Sequence, residues 1–160
     1  MKLLTELYLN EVRGSLLQRI KDKFPNWPDY VIRDLLYQQA KTIDSHEQFE
    51  DWYKHIEESF PIKEWKFETL DITLDIFDKF SRDQIMVRDG GKVNPHSVPK
   101  DEARHATQLK MIQQRGVSKE PIIVIKNTDG FGLVEGWHRT IQHLQAFPQG
   151  YKGTAWVGYK

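Results

Sequence analysis

The sequence predicts an α+β protein in which an all-α unit precedes a small mixed sheet with packed helices. Three observations carry that expectation. Apolar residues recur at three- and four-residue spacing up to Pro61, the mark of amphipathic helices. Beyond Pro61 the pattern changes to short strand-like runs, of which Pro121-Ile122-Ile123-Val124-Ile125 is the strongest. Between those runs lies one further helical pattern, residues 100–115, closed by Gly116.

Taken in order, Leu4, Tyr8, Val12, Leu16 and Ile20, with Leu3, Leu7, Leu17 and Phe24 beside them, form the buried stripe of a first helix, mildly interrupted at Gly14. Asn26-Trp27-Pro28-Asp29 resets the chain. Pro28 suits a first helical turn, and Val31, Ile32, Leu35 and Leu36 supply the stripe of a second helix. Asp44 or Ser45 can cap a third, which carries Phe49, Trp52, Tyr53 and Ile56 inward. It must stop before Pro61, because a residue preceding proline is pushed out of helical geometry. The expected division is therefore a helical extension over residues 1–61 and a second domain over 62–160.

In the second part Trp65, Phe67, Thr69 and Ile72 read as a strand, residues 75–80 as a short helical turn, and Asp89 to His96, rich in glycine, asparagine and proline, as a loop. Pro99 leads into the 100–115 helix, with Ala103, Ala106, Leu109, Met111 and Ile112 as its candidate buried face. Asn127-Thr128-Asp129-Gly130 is a tight turn joining 121–125 to Phe131-Gly132-Leu133-Val134-Glu135, so an antiparallel hairpin is expected. A helix over Thr140 to Leu144 and a last strand within residues 153–159 complete the order.

Composition removes several classes. With 160 residues the chain can bury a substantial core. Its 23 basic and 23 acidic residues balance, at a net −3 over residues 1–60 and +3 over 61–160, so no global field points to nucleic acid or an anionic membrane. Absence of cysteine excludes disulfides, thiol nucleophiles and thiolate metal sites, and fits an intracellular protein. No apolar run approaches the ~20 residues of a membrane span, and Met1 to Asn10 has no signal-peptide pattern, so a cytoplasmic protein is expected. His138 and His143 are five apart, off the spacing of a two-histidine zinc site.

The chemistry concentrates at Gly136-Trp137-His138-Arg139, where a strand hands over to a helix. A helix that begins there presents unpaired backbone N–H groups and partial positive charge, which favour phosphate. Arg139 adds a planar, permanently charged fork, and His138 a donor of adjustable charge. The plainer alternative is that Arg139 pairs with Glu135 or another carboxylate and that His138 caps its helix. Trp137 is expected to serve packing, or a lid, before it serves base stacking.

The run from Gly116 through Glu120-Pro121-Ile122-Ile123-Val124-Ile125, a turn, Phe131 to Thr140, a helix and a last strand resembles the ParB/sulfiredoxin superfamily. That family's signature is a G-x-H-R or G-x-R-R segment that opens a helix after a hairpin strand. The resemblance spans residues 62–160 and is good in order and spacing from Lys100 onward. It implies a ParB/sulfiredoxin-like fold and a nucleotide, ATP or CTP with magnesium, whose phosphates are held by Gly136, Trp137, His138, Arg139 and Thr140. Glu135 and His138 are then the candidate catalytic groups, Glu135 as a magnesium ligand or a proton acceptor. Arg88, His96, Arg104 and His105 are candidates to complete the pocket.

Departures from the family narrow the function. Sulfiredoxin chemistry needs a cysteine before His138, where this chain has Trp137, so that activity is excluded. Partition proteins continue into a further nucleotide-contacting segment and a DNA reader, whereas this sequence stops one strand after the motif, and a DNA-loaded CTP clamp is not expected. Two classes fit: a nucleotide-binding phosphotransferase or hydrolase, and a non-catalytic scaffold that docks a protein partner on its N-terminal helices. DNA binding or nuclease action ranks below both, for want of a basic stripe.

Overall fold

The computed structural model describes residues 15–89 and 99–160. It is an α+β protein: helices come first, and a four-stranded mixed sheet with its own helices follows. Contacts divide the chain into two compact units with the boundary between Trp65 and Lys66.

In the first unit, residues 15–23 form α1, residues 29–40 form α2 and His46–Ser59 form α3. Ile20 and Phe24 are buried, as their spacing requires; the residues of the first helical stripe before Ser15 lie outside the described residues. Pro28 stands one place earlier than expected, in extended geometry as the residue preceding α2, where its lack of an N–H costs nothing. The middle of α2, Ile32–Tyr37, is π-helical, and Val31, Ile32, Leu35 and Leu36 are all buried. Ser45 rather than Asp44 caps α3, its hydroxyl accepting from the Gln48 amide at 3.2 Å. Phe49 and Ile56 of α3 are fully inside, whereas Trp52 and Tyr53 are half-buried and meet Phe24 edge-on at 6.4 and 5.3 Å. The helix ends at Ser59, two residues ahead of Pro61.

The sheet runs in the order β1-β4-β2-β3, from β1 (Glu64–Ile72), β2 (Ile122–Asn127), β3 (Gly130–Glu135) and β4 (Tyr151–Tyr159). The β2–β3 hairpin is antiparallel and β4 lies parallel to β2, with Ile122 opposite Ala155 and Val124 opposite Val157. Fully buried β-branched residues in β2 fit a central strand covered on both faces. One face packs Ile72, Ile122, Val124, Leu133, Ala155 and Val157 against Phe77, Ile85 and Ile141. In β1 the inward residues are Leu70 and Ile72, of the opposite parity to Phe67 and Thr69, which are exposed. Phe67, 55% exposed, instead meets the Trp156 ring of β4 at 5.2 Å.

Residues 75–80 are not one short turn. Leu74–Ile76 is a single 3-10 turn, after which Lys79–Asp89 forms a full helix, α4, that polar residues around Ile85 obscured. Its start is tied down over long sequence distances. The Asp78 carboxylate accepts from the Ser81 amide and from Asn127, and the Ser81 hydroxyl accepts from the buried Leu133 amide at 2.9 Å. Helix α5 (Pro99–Arg115) ends at Gly116, whose φ of +84° is the left-handed cap expected of it. Ala106 and Met111 are exposed rather than buried; Leu109 and Ile112 are half-buried. Helix α6 (Trp137–Ala146) connects the hairpin to β4.

Candidate functional site

The Gly136-Trp137-His138-Arg139 stretch sits where the sequence placed it, at the β3-to-α6 junction. Gly136 is the residue preceding α6, with φ +96° and ψ +26°, and no side chain caps the helix. A Cβ at this position would also stand 2.8 Å from Cγ2 of Ile122, so both the left-handed backbone and the close approach to β2 demand glycine. His138 and Glu135 project at the exposed edge of the junction, and Trp137 packs against the sheet core, the structural role expected of it.

Arg139 points back along the sheet. Its Nη1 donates to the carbonyls of Glu120 at 2.8 Å and Pro121 at 2.9 Å, and its Nη2 lies 3.4 Å from the Glu120 carboxylate. The guanidinium thus braces the entry to β2, and its carboxylate partner is Glu120 rather than Glu135. Glu120 is 73% exposed, so that ion pair is screened and weak, whereas the bonds to fixed carbonyls set the direction of the side chain.

Thr140 departs from the expected phosphate contact. Its amide donates to the Gly136 carbonyl at 2.9 Å, closing the first turn, and its side chain is fully buried. The threonine hydroxyl is thus withdrawn from the surface of the helix start, where His138 is exposed. Of the other expected pocket residues, His96 lies outside the described residues. Arg88 falls within α4, and Arg104 and His105 within α5, but their side chains lie outside what is described.

One buried, hydrogen-bonded ionisable group went unrecognised in the sequence. His143, 4% exposed, places Nδ1 2.7 Å from the Arg139 carbonyl and Nε2 2.9 Å from the Ser118 amide nitrogen. Burial, aided by the Arg139 charge and opposed by the bond to the Arg139 carbonyl, holds its pKa below 6.5. The Tyr151 ring lies 5.1 Å away, and burial pushes the Tyr151 phenol up to about 12 against the pull of Thr140 and Arg139. The available signal was the four-residue step from Arg139 to His143, the distance at which a helical side chain reaches the carbonyl one turn back.

Among the described residues no group of three or more His, Asp or Glu side chains converges as a metal site, and no helix is long and apolar enough to cross a membrane. Comparison with protein-family models, characterised proteins and solved structures returned no match.

Proposed function

We propose that the protein binds the phosphate of a nucleotide, ATP or CTP with magnesium, at the first turn of α6. The observation that carries this reading is a helix start opened by Gly136 in left-handed geometry, without a side-chain cap, and flanked by the exposed His138. Such a turn offers N–H dipoles to an anion, and His138 adds a donor at its rim. Glu135, exposed beside it, repels a bare phosphate and so favours one that arrives with a cation. A single carboxylate holds magnesium only together with phosphate oxygens, which is the usual arrangement for that ion. Phosphoryl transfer or hydrolysis, with Glu135 as metal ligand or proton acceptor, is the chemistry this set fits.

The commitment of Arg139 to the Glu120 and Pro121 carbonyls favours a second reading, in which the motif is a structural brace in a non-catalytic scaffold. Calorimetric titration of ATP and CTP, with and without magnesium, separates the two on the unaltered protein, His138→Ala and Arg139→Ala. The phosphate reading expects saturable binding weakened by both substitutions. Binding indifferent to His138→Ala, or none at all, leaves the brace.

A further inference from the structure

Among the described histidines His143 alone is buried, and its two hydrogen bonds admit only one protonation state. A carbonyl oxygen only accepts, so Nδ1 carries the hydrogen that reaches the Arg139 carbonyl. A backbone amide only donates, so Nε2 must be bare to accept from Ser118. A proton added at Nε2 sets two N–H groups against each other across 2.9 Å, and the bond to Ser118 is lost.

Ser118 opens the short segment that leads into β2, and the other end of that segment is held by the same helix. Arg139, one turn before His143, donates to the carbonyls of Glu120 and Pro121. One turn of α6 therefore grips the segment twice, His143 taking an amide hydrogen and Arg139 giving hydrogens to two carbonyls. A cleft of about 420 Å³, bordered by Ile112, Arg115, Val117 and Gln142, opens beside His143 and Ser118.

We propose that protonation of His143 is a release switch for residues 117–121. The neutral imidazole pins the Ser118 amide and keeps the Arg139 guanidinium on its carbonyls; the imidazolium frees the segment and leaves the guanidinium to an external anion. The second half of this switch rests on the phosphate reading above.

The charges around the ring set its direction. Arg139 on its own helix opposes a second cation, and Arg115, from the last turn of α5, lines the same cleft. Tyr151 of β4 stays neutral, and Glu120 of the segment is the compensating carboxylate, weakened by exposure. With burial added, the ring stays neutral until the medium turns acidic relative to 6.5. A bound dianion beside Arg139 reverses the balance and favours the imidazolium, so acid and anion each promote the other.

The test follows the full chain by NMR on either side of pH 6.5, with sulfate as a probe whose own charge does not change over that range. Nitrogen shifts are expected to show the Nδ1–H tautomer of His143 at neutral pH. Below pH 6.5, exchange of the Ser118 amide, corrected for its intrinsic rate, should rise about tenfold per pH unit until the folded-state midpoint is reached. Sulfate should shift the 137–139 amides more tightly in acid, by about tenfold for each unit by which it raises the His143 midpoint. In His143→Gln, whose amide can accept from Ser118 and donate to the Arg139 carbonyl without titrating, the pH dependence of Ser118 exchange should vanish and the gain in sulfate affinity in acid should shrink. Ser118 protection that stays constant through the His143 midpoint, or an Nε2–H tautomer at neutral pH, overturns the switch. Sulfate that leaves the 137–139 amides unmoved at every pH, while Ser118 releases as expected, overturns the phosphate site and upholds the release of the segment.

Discussion

The helical unit and the sheet unit are held by different means. In the first, buried side chains come from helices at three- and four-residue spacing, and tilted aromatic rings pack with them: Phe24 stands 4.9 Å from Trp27, and Phe49 lies 5.5 Å from Trp52. In the second, an aliphatic core is positioned by polar bonds between residues far apart in sequence, such as Ser81 to Leu133 and His143 to Ser118. Apolar area is non-directional and tolerates small shifts, whereas a buried hydrogen bond fails as a whole when one partner is lost. The helical unit should accordingly respond to lost volume, and the sheet unit to lost geometry or a change of protonation.

The largest expected effect is on the volume side. Phe49 is fully buried among helices and carries Arg19 over its ring at 4.1 Å. Phe49→Ala should destabilise the protein by about 3–5 kcal/mol. Urea unfolding followed by Trp fluorescence measures it; a loss under about 1 kcal/mol would mean that the helical unit does not respond chiefly to lost volume.

Geometry comes next. Gly136→Ala removes no buried group, yet it forces an L-residue to φ +96° and sets its Cβ 2.8 Å from Ile122. A cost of roughly 1–3 kcal/mol is expected from backbone strain, with the Ile122 contact adding to it. Gly116→Ala is the control, because that glycine has φ +84° but nothing within 4 Å of its would-be Cβ. Equal losses at the two sites would show that conformation alone matters and that the approach of α6 to β2 does not.

The protonation effect is smaller and has a definite sign. Because the folded-state pKa of His143 is depressed, the unfolded chain binds the extra proton first as pH falls. Stability is therefore complete above about 6.5 and declines as pH drops from there toward the folded-state value, by about 1.4 kcal/mol for each unit of depression. Thermal melts of the unaltered protein and His143→Gln, compared across this window, should lie close together at neutral pH and diverge in acid, where only the unaltered protein loses stability. Parallel curves would assign the acid sensitivity to other groups.

The same contrast explains which parts of the molecule were legible in the sequence. Helical stripes are local, so Val31, Ile32, Leu35, Leu36 and Ile56 could be placed inside from their spacing alone. The β2–β3 hairpin and the helix opened by Gly136 were equally readable, since turn chemistry lies within a few residues. Strand parity in β1 was not, because Phe67 looks like a core residue until Trp156 is seen to share its exposed face. Nor was α4, whose start is fixed by Asn127 and Leu133, about fifty residues away along the chain. At the candidate site the anion-favouring turn was visible, whereas the direction of Arg139 and the role of His143 depend on carbonyls and an amide in residues 118–121 that carry no side-chain signature.

The smallest expected effect tests whether the helical unit contains any geometric device of its own. Ser45 accepts from the Gln48 amide at 3.2 Å at an exposed helix start, so its loss uncovers a donor that water can satisfy. Ser45→Ala should lower stability by about 1 kcal/mol, and Ser45→Asp should restore it, because a carboxylate both accepts the bond and meets the positive end of the helix. Added salt should erode the aspartate's advantage, while leaving the serine unaffected. If Ser45→Ala instead cost as much as Gly136→Ala, a directional bond at the start of α3 would matter as much as the junction that opens α6, and the two units would no longer differ in kind.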